Sequence, residues 1–315
     1  MKLSLCTRSV ARMYTQAKPA FRAPRAVRFV VGTPTWPSTI ERPKKTPTLG
    51  ADYDTSWARK PWARATRQFL LTTVTRPALQ IIAKPIVDGT DRLTGVDGPL
   101  IFAANHASHL DTSLILVTLP KRFREKTVVA AGADYFFDKR WKAAWWSLAI
   151  GAIPVERTKV SRNSAALATE LLSGGFNLVI FPEGGRTPDG WMRSFRGGAA
   201  FLALRTGLPV VPMFVGGTRS ILGKGSKRLR PSKSRVVFGS PMRPDDGEDA
   251  REFSVRLQRA VEILADESRT DWWSARKHVA AGTTPSLEGA AVSDWRRAWL
   301  LGPRHKSSTA SWPEL

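Results

Sequence analysis

The chain has 315 residues, 42% of them hydrophobic, with a formal net charge of +23 and one cysteine. That apolar content suffices for one sizeable core, and a lone cysteine excludes both a disulfide framework and a Cys-based zinc site. Four histidines (His106, His109, His278 and His305) argue against a His-rich centre, so no metal is expected. The excess of positive charge points to a polyanionic partner, either nucleic acid or an anionic membrane surface.

In chain order, residues 1–60 read as a basic, mobile arm. They are rich in Pro, Arg and Thr without a sustained period, and residues 1–50 hold ten Lys/Arg against the single acid Glu41. The acid-poor, Arg-rich character leaves organellar targeting by this arm open. Residues 61–88 read as a helical segment facing a membrane, with the helix drawn from Trp62 to Val87. Thr, Pro and Lys interrupt it too often for the ~20 apolar residues of a bilayer span, so it is expected to lie in the interface.

Residues 89–268 alternate short apolar runs with helical patterns, the signature of an α/β domain. The expected fold is a mixed, mostly parallel sheet flanked by helices. Strands are predicted at Leu100–Ala104, Thr127–Ala131, Ile153–Arg157, Asn177–Pro182, Pro209–Phe214 and Arg235–Gly239. Helices are predicted at Asp111–Leu119, Lys139–Ile150, Ser161–Ser173, Gly198–Thr206 and Asp249–Glu267. Residues 269–315 form a Trp-containing extension with a short helical piece. Between Arg219 and Arg235 lie seven cations and no acid, a second basic run suited to anionic lipid.

Asn105-His106-Ala107-Ser108-His109-Leu110-Asp111 follows directly on an apolar strand. On a straight helix, His106 and Asp111 would point about 140° apart and could not pair. Ser108 followed by the acid Asp111 reads instead as a variant capping box, with Ser108 as N-cap. His106 then sits in the loop before the helix, where its ring can fold over Asp111. A carboxylate on one ring nitrogen fixes the tautomer and leaves the other free to take a hydroxyl proton, which suits a general base. His109 reads as a bystander.

Phe181-Pro182-Glu183-Gly184-Gly185-Arg186-Thr187 follows another apolar strand. Paired glycines let backbone N–H groups approach a ligand, and Arg186 can grip a phosphate through two parallel bonds. Glu183 is suited either to accept from a substrate hydroxyl or to hold Arg186. Gly151-Ala152-Ile153-Pro154-Val155-Glu156-Arg157 ends a third strand, with Arg157 a second phosphate candidate. Val210-Val211-Pro212-Met213-Phe214 reads as a core strand, with lining of an acyl groove as the alternative.

In this order, the four segments resemble the lysophospholipid acyltransferase family, and in particular its bacterial 1-acylglycerol-3-phosphate acyltransferases. The resemblance covers roughly residues 82–264. It implies that His106 is the base and Asp111 its orienting partner, that Glu183, Gly184, Gly185 and Arg186 form the acceptor site, and that Arg157 contacts phosphate. Phe195-Arg196-Gly197 resembles the family's Phe-Lys-Gly turn. Gly185 stands where the family usually has threonine, which bears on the acceptor more than on the chemistry.

The implied activity is transfer of a fatty acyl group to 1-acylglycerol 3-phosphate, giving phosphatidic acid. The co-substrate is acyl-CoA or acyl carrier protein, with no cofactor. Association with a membrane as a peripheral or monotopic protein on the cytoplasmic face follows. The alternatives are an acceptor such as glycerol 3-phosphate or another lysophospholipid or glycolipid, and a non-catalytic protein binding anionic membrane or nucleic acid. The basic run lacks interleaved aromatics and no nucleic-acid module is recognisable, so no nucleic acid is expected.

Overall fold

The computed structural model describes residues 49–156, 162–187, 190–226 and 228–288. All of them fall in the unit Thr48–Leu315. Most of the basic arm, the arginine at 157 and residues 289–315, with Trp295 and Trp299, lie outside the described residues. Residues 49–60, expected in that arm, belong to the fold. Gly50 N–H donates to Phe137 O at 3.0 Å, and the Tyr53 ring meets Phe137 at 5.7 Å.

Helix α1 (Pro61–Leu70) passes through a π-helical turn, Leu71–Thr75, into α2 (Arg76–Ile82). Pro77 explains the widened turn: it has no N–H to give, and its ring crowds the carbonyl four residues back. The helix does not reach Val87 as expected. Lys84 adopts φ 39° and Pro85 opens strand β1 (Pro85–Asp88), paired only with a strand near the C-terminus of the fold. A proline at the start of an edge strand costs no ladder bond, so the apolar residues 85–87 extend rather than coil.

Strands β2 (Ile101–Ala104), β3 (Thr127–Gly132), β4 (Ala152–Val155), β5 (Asn177–Ile180), β6 (Val210–Gly216) and β7 (Ser234–Phe238) complete the sheet. Among the described residues its order is β1-β7-β6-β2-β5-β3-β4. Only β6 and β7 pair antiparallel, so the expected mixed, mostly parallel sheet is what forms. Every predicted strand is present, with ends shifted by a residue or two.

Alternating side chains divide the core into two layers. Phe102 and Ala104 of β2 face a cluster with Leu114, Ile115, Phe137 and Phe238. Ile101 and Ala103 face another, with Phe253, Leu257 and Leu264. The first layer is roofed by the π-helical turn, α2, α3 (Leu110–Thr118) and α4 (Arg140–Ile150), with α1 packed on α4. The second is roofed by α5 (Arg162–Ser173), α6 (Gly198–Thr206) and, after the short α7 (Thr218–Leu222), the long α8 (Ala250–Arg269). Asp249 caps α8 in a full capping box with Glu252. Helix α9 (Trp272–Ala280) folds back on α8, and the chain continues without regular structure to residue 288. Val210, Val211 and Met213 are wholly buried, so this strand packs the core and does not line a groove.

Candidate active site

The site forms where β2, β5 and β6 end. These three strands are adjacent and parallel at the centre of the sheet, and the chain crosses from one side of β2 to the other between β5 and β6. The carboxyl ends of strands beside such a crossing make a crevice. Register then decides which residues meet. Ala103 pairs with Ile180, so His106 and Glu183, each three residues further on, emerge side by side. Asn105 fixes the first loop to β6, its amide donating to Val215 O (2.9 Å) and its carbonyl accepting from Val215 N–H (2.8 Å).

His106 Nδ1 lies 2.9 Å from Asp111 Oδ2, and Asp111 is 1% exposed. The same oxygen accepts from the N–H groups of Ala107 (2.7 Å) and Ser108 (2.8 Å). Asp111 sits in the first turn of α3, where the helix N-terminus favours a negative charge. The expected capping box forms only by half. Asp111 reaches back to the Ser108 N–H, but the Ser108 hydroxyl turns elsewhere, accepting from Leu110 N–H and donating to Leu222 O at 2.6 Å. The helix accordingly starts at Leu110. That second bond ties the histidine loop to α7.

The imidazole stacks on Phe181, with centroids 4.0 Å apart and planes 20° apart. With Nδ1–H donating to the carboxylate, Nε2 keeps its lone pair, and it makes no hydrogen bond among the described residues. His109 stacks on Tyr135 instead. Burial, then the Arg186 and His106 charges, lower its pKa to about 4, so it is neutral at physiological pH.

Glu183 is held by backbone donors on both of its oxygens. It is 2% exposed, with Oε1 accepting from His106 N–H (2.6 Å) and Oε2 from Arg193 N–H (3.0 Å). A carboxylate enclosed this way braces the loop that carries the histidine. Burial pushes it up to about 7, against the pull of those two donors. The neighbouring turn is stitched on by Thr187 N–H donating to His106 O at 3.3 Å.

Gly184 has φ +72°, a left-handed conformation that favours glycine, and the Arg196 guanidinium packs 3.1–3.2 Å from where a Cβ would stand. Its N–H is committed to Phe181 O. Gly185 and Arg186 are half-buried beside it, and Lys224 Nζ donates to Arg186 O at 3.2 Å. His106, Asp111, Glu183, Gly184, Gly185 and Arg186 thus meet at one sheet edge. Arg157, the other candidate named from the sequence, lies outside the described residues. Sequence reasoning gave no role to Asn105, the Phe181 ring or the Arg193 N–H; Asn105 and Phe181 had a signal, their place in strand-end motifs, and Arg193 had none.

Residues 84–216 match the family model described as Acyltransferase. These residues are an acyltransferase-family domain. A 1-acyl-sn-glycerol-3-phosphate acyltransferase of Cocos nucifera is 32% identical over 198 residues, 61% of either chain. A chloroplastic enzyme of the same name from Arabidopsis thaliana is 29% identical over 185 residues, 58% of this chain and 50% of that one. The chain thus spans about half to three-fifths of the length of these curated relatives. The crystal structure of PlsC, the 1-acyl-sn-glycerophosphate (LPA) acyltransferase of Thermotoga maritima, shares the fold. Its TM-score is 0.55 at 24% identity, covering 70% of this chain and 84% of that one. The acyltransferase-family domain contains the whole His106–Asp111 and Glu183–Arg186 cluster but ends before α7. Helices α7 to α9 and the final segment lie beyond the matched residues.

Proposed function

We propose that the protein is an O-acyltransferase that acylates the free hydroxyl of 1-acylglycerol 3-phosphate, giving phosphatidic acid, from acyl-CoA or an acyl carrier protein. The observation that carries this reading is the His106–Asp111 pair at 2.9 Å, with Nε2 unengaged among the described residues. The activity printed for the relatives supports the choice of acceptor.

Nε2 takes the proton as the acceptor oxygen attacks the thioester carbonyl, while Asp111 stabilises the resulting imidazolium. The tetrahedral intermediate places negative charge on the former carbonyl oxygen. The Gly184 N–H is spent on Phe181 O, which leaves the Gly185 N–H as the donor from this turn. Collapse breaks the C–S bond, and the departing thiolate recovers the proton from His106. Arg186, at the mouth of the same turn, and Arg157 hold the acceptor phosphate.

The acceptor and product are lipids, and the fold offers a surface for them. Trp62, Phe69, Val74 and Ile81 are 55–71% exposed and spaced seven, five and seven residues apart, the five falling across the wider π-helical turn. They form one apolar stripe along α1 and α2. Ser232 N–H donates to Ile82 O at 3.0 Å, which brings the exposed cations Arg228, Arg230 and Lys233 to the end of that stripe. Arg235 is not part of this surface: it sits in β7 and pairs with Asp88. Among the described residues no helix is long and apolar enough to cross a membrane. An apolar stripe ending in a basic loop fits an anionic bilayer surface.

The test is one labelled acyl-CoA offered to 1-acylglycerol 3-phosphate, glycerol 3-phosphate and neutral lysophospholipids. Phosphatidic acid as the main product supports the reading; preferential acylation of another acceptor overturns the assigned substrate, and intact thioester with all of them overturns the activity.

A further inference from the structure

The loop that closes over Glu183 is held from outside the family domain. Residues 190–196 form neither helix nor strand, so no ladder orders their N–H groups. Arg193 N–H goes to Glu183 Oε2, and the residues around it are tied to the end of the fold. Met192 N–H donates to Leu287 O (3.0 Å), and the Leu287 side chain is buried in the same cluster as Met192 and Phe195. Ser194 Oγ donates to Glu288 Oε1 (2.7 Å). Gln258 on α8 joins both sides, accepting from Phe195 N–H (2.9 Å) and donating to Glu288 Oε1 (3.0 Å).

The segment that does this is itself anchored. Glu262 Oε1 accepts from Ser286 Oγ (2.8 Å) and Leu287 N–H (3.2 Å), and Arg259 donates to Thr284 O (3.2 Å). The turn that returns the chain to this place is pinned where His278 Nδ1 meets Asp266 Oδ2 at 2.6 Å.

We propose that residues 284–288 are a strap that positions the catalytic histidine, acting through the 190–196 loop and the Glu183 carboxylate, with Leu287 and Gln258 as positioning residues. The path is continuous: Leu287 O to Met192 N–H, the adjoining Arg193 N–H to Glu183, and Glu183 to His106 N–H. The strap brings no side chain to the reacting atoms. Its effect is to keep the Arg193 N–H turned inward, so that Glu183 stays braced against the histidine loop. A displacement of ~1 Å at a reacting group costs on the order of 10²-fold in rate, which sets the scale.

The inference rests on His106 being the base, and the experiment separates the two. Leu287→Ser, Gln258→Ala and the conservative Leu287→Met are made in the full chain, with His106→Ala alongside. Turnover is measured with acyl-CoA and 1-acylglycerol 3-phosphate, and hydrogen exchange on peptides covering 104–110, 127–132 and 190–196. The strap predicts that Leu287→Ser and Gln258→Ala lower kcat about 10- to 100-fold with KM unchanged. It also predicts faster exchange at 190–196 and 104–110 but not in β3, and recovery of kcat in Leu287→Met. Wild-type kcat in folded Leu287→Ser or Gln258→Ala overturns the strap, as does a fall in kcat without faster exchange at 104–110. If His106→Ala is inactive while Leu287→Ser is normal, only the strap fails; if His106→Ala turns over normally, the reading beneath it fails.

Discussion

Asp111 concentrates three donors on one oxygen, the His106 ring and the N–H groups of Ala107 and Ser108, at the positive end of a helix. This fixes both the ring tautomer and the loop that carries it. Asp111→Asn keeps the shape but loses the charge that stabilises the imidazolium, so kcat should fall by about 10²–10⁴-fold with little change in KM. Steady-state kinetics on the folded variant checks this. Glu183 makes a different statement, about pH. Its folded pKa, about 7, is above the ordinary 4.5, so folding disfavours its ionised form. The stability it contributes is fully present below about 4.5 and is lost as pH rises through about 7. At about 1.36 kcal/mol per pKa unit, the wild type should lose roughly 3 kcal/mol over that window, a slope that Glu183→Gln should flatten. His109, held neutral by its pKa of about 4, acts in the opposite sense below its ordinary 6.5, so the comparison between the two proteins isolates Glu183. Urea unfolding of both at pH 5 and pH 8 measures it, and equal slopes would contradict the assignment.

The elements show where close approach constrains the chain. Gly239 follows β7, and a Cβ there would lie 2.7 Å from Pro212 Cγ and 2.9 Å from Pro212 O. Pro212 is on a central strand, so neither partner can yield, and Gly239→Ala should cost about 1–3 kcal/mol in unfolding free energy. Beside the apolar stripe, Arg228, Arg230 and Lys233 should each contribute about 1 kcal/mol to binding an anionic bilayer under the proposed function. Replacing all three with alanine should weaken flotation with anionic liposomes at low salt by roughly 10²-fold and leave neutral liposomes unaffected. What could be read in advance follows the range of each interaction. The His106–Asp111 pair spans five residues and one helix start; the pairing was legible, while the helix start and its Ser108 cap were read only in part. The Glu183 brace was not, because it depends on the β2–β5 register, set by residues more than seventy positions apart. Strand β1 was hidden because its apolar residues continue a helical run until Lys84 and Pro85 break it. The strap was hidden because neither 190–196 nor 284–288 has any period.

At the scale of the whole molecule, the sheet separates tasks by edge and face. The carboxyl ends of β2, β5 and β6 gather the His106–Asp111 pair and the Glu183–Arg186 turn, α1 and α2 carry an exposed apolar stripe, and α8 anchors residues 284–288. The uneven charge has a corresponding division. Part of the run from Arg219 to Arg235 is absorbed by the fold, as with Arg235 on Asp88, while its middle stays at the surface beside α2. The sheet thus carries both a basic surface loop beside α2 and the buried Asp111 that holds the His106 ring. The most direct test is the turnover of His106→Ala with acyl-CoA and 1-acylglycerol 3-phosphate, alongside a thermal melt showing that the variant is folded. A loss of about 10²–10⁴-fold or more in kcat is predicted. Turnover near the wild-type rate in a folded variant would contradict it.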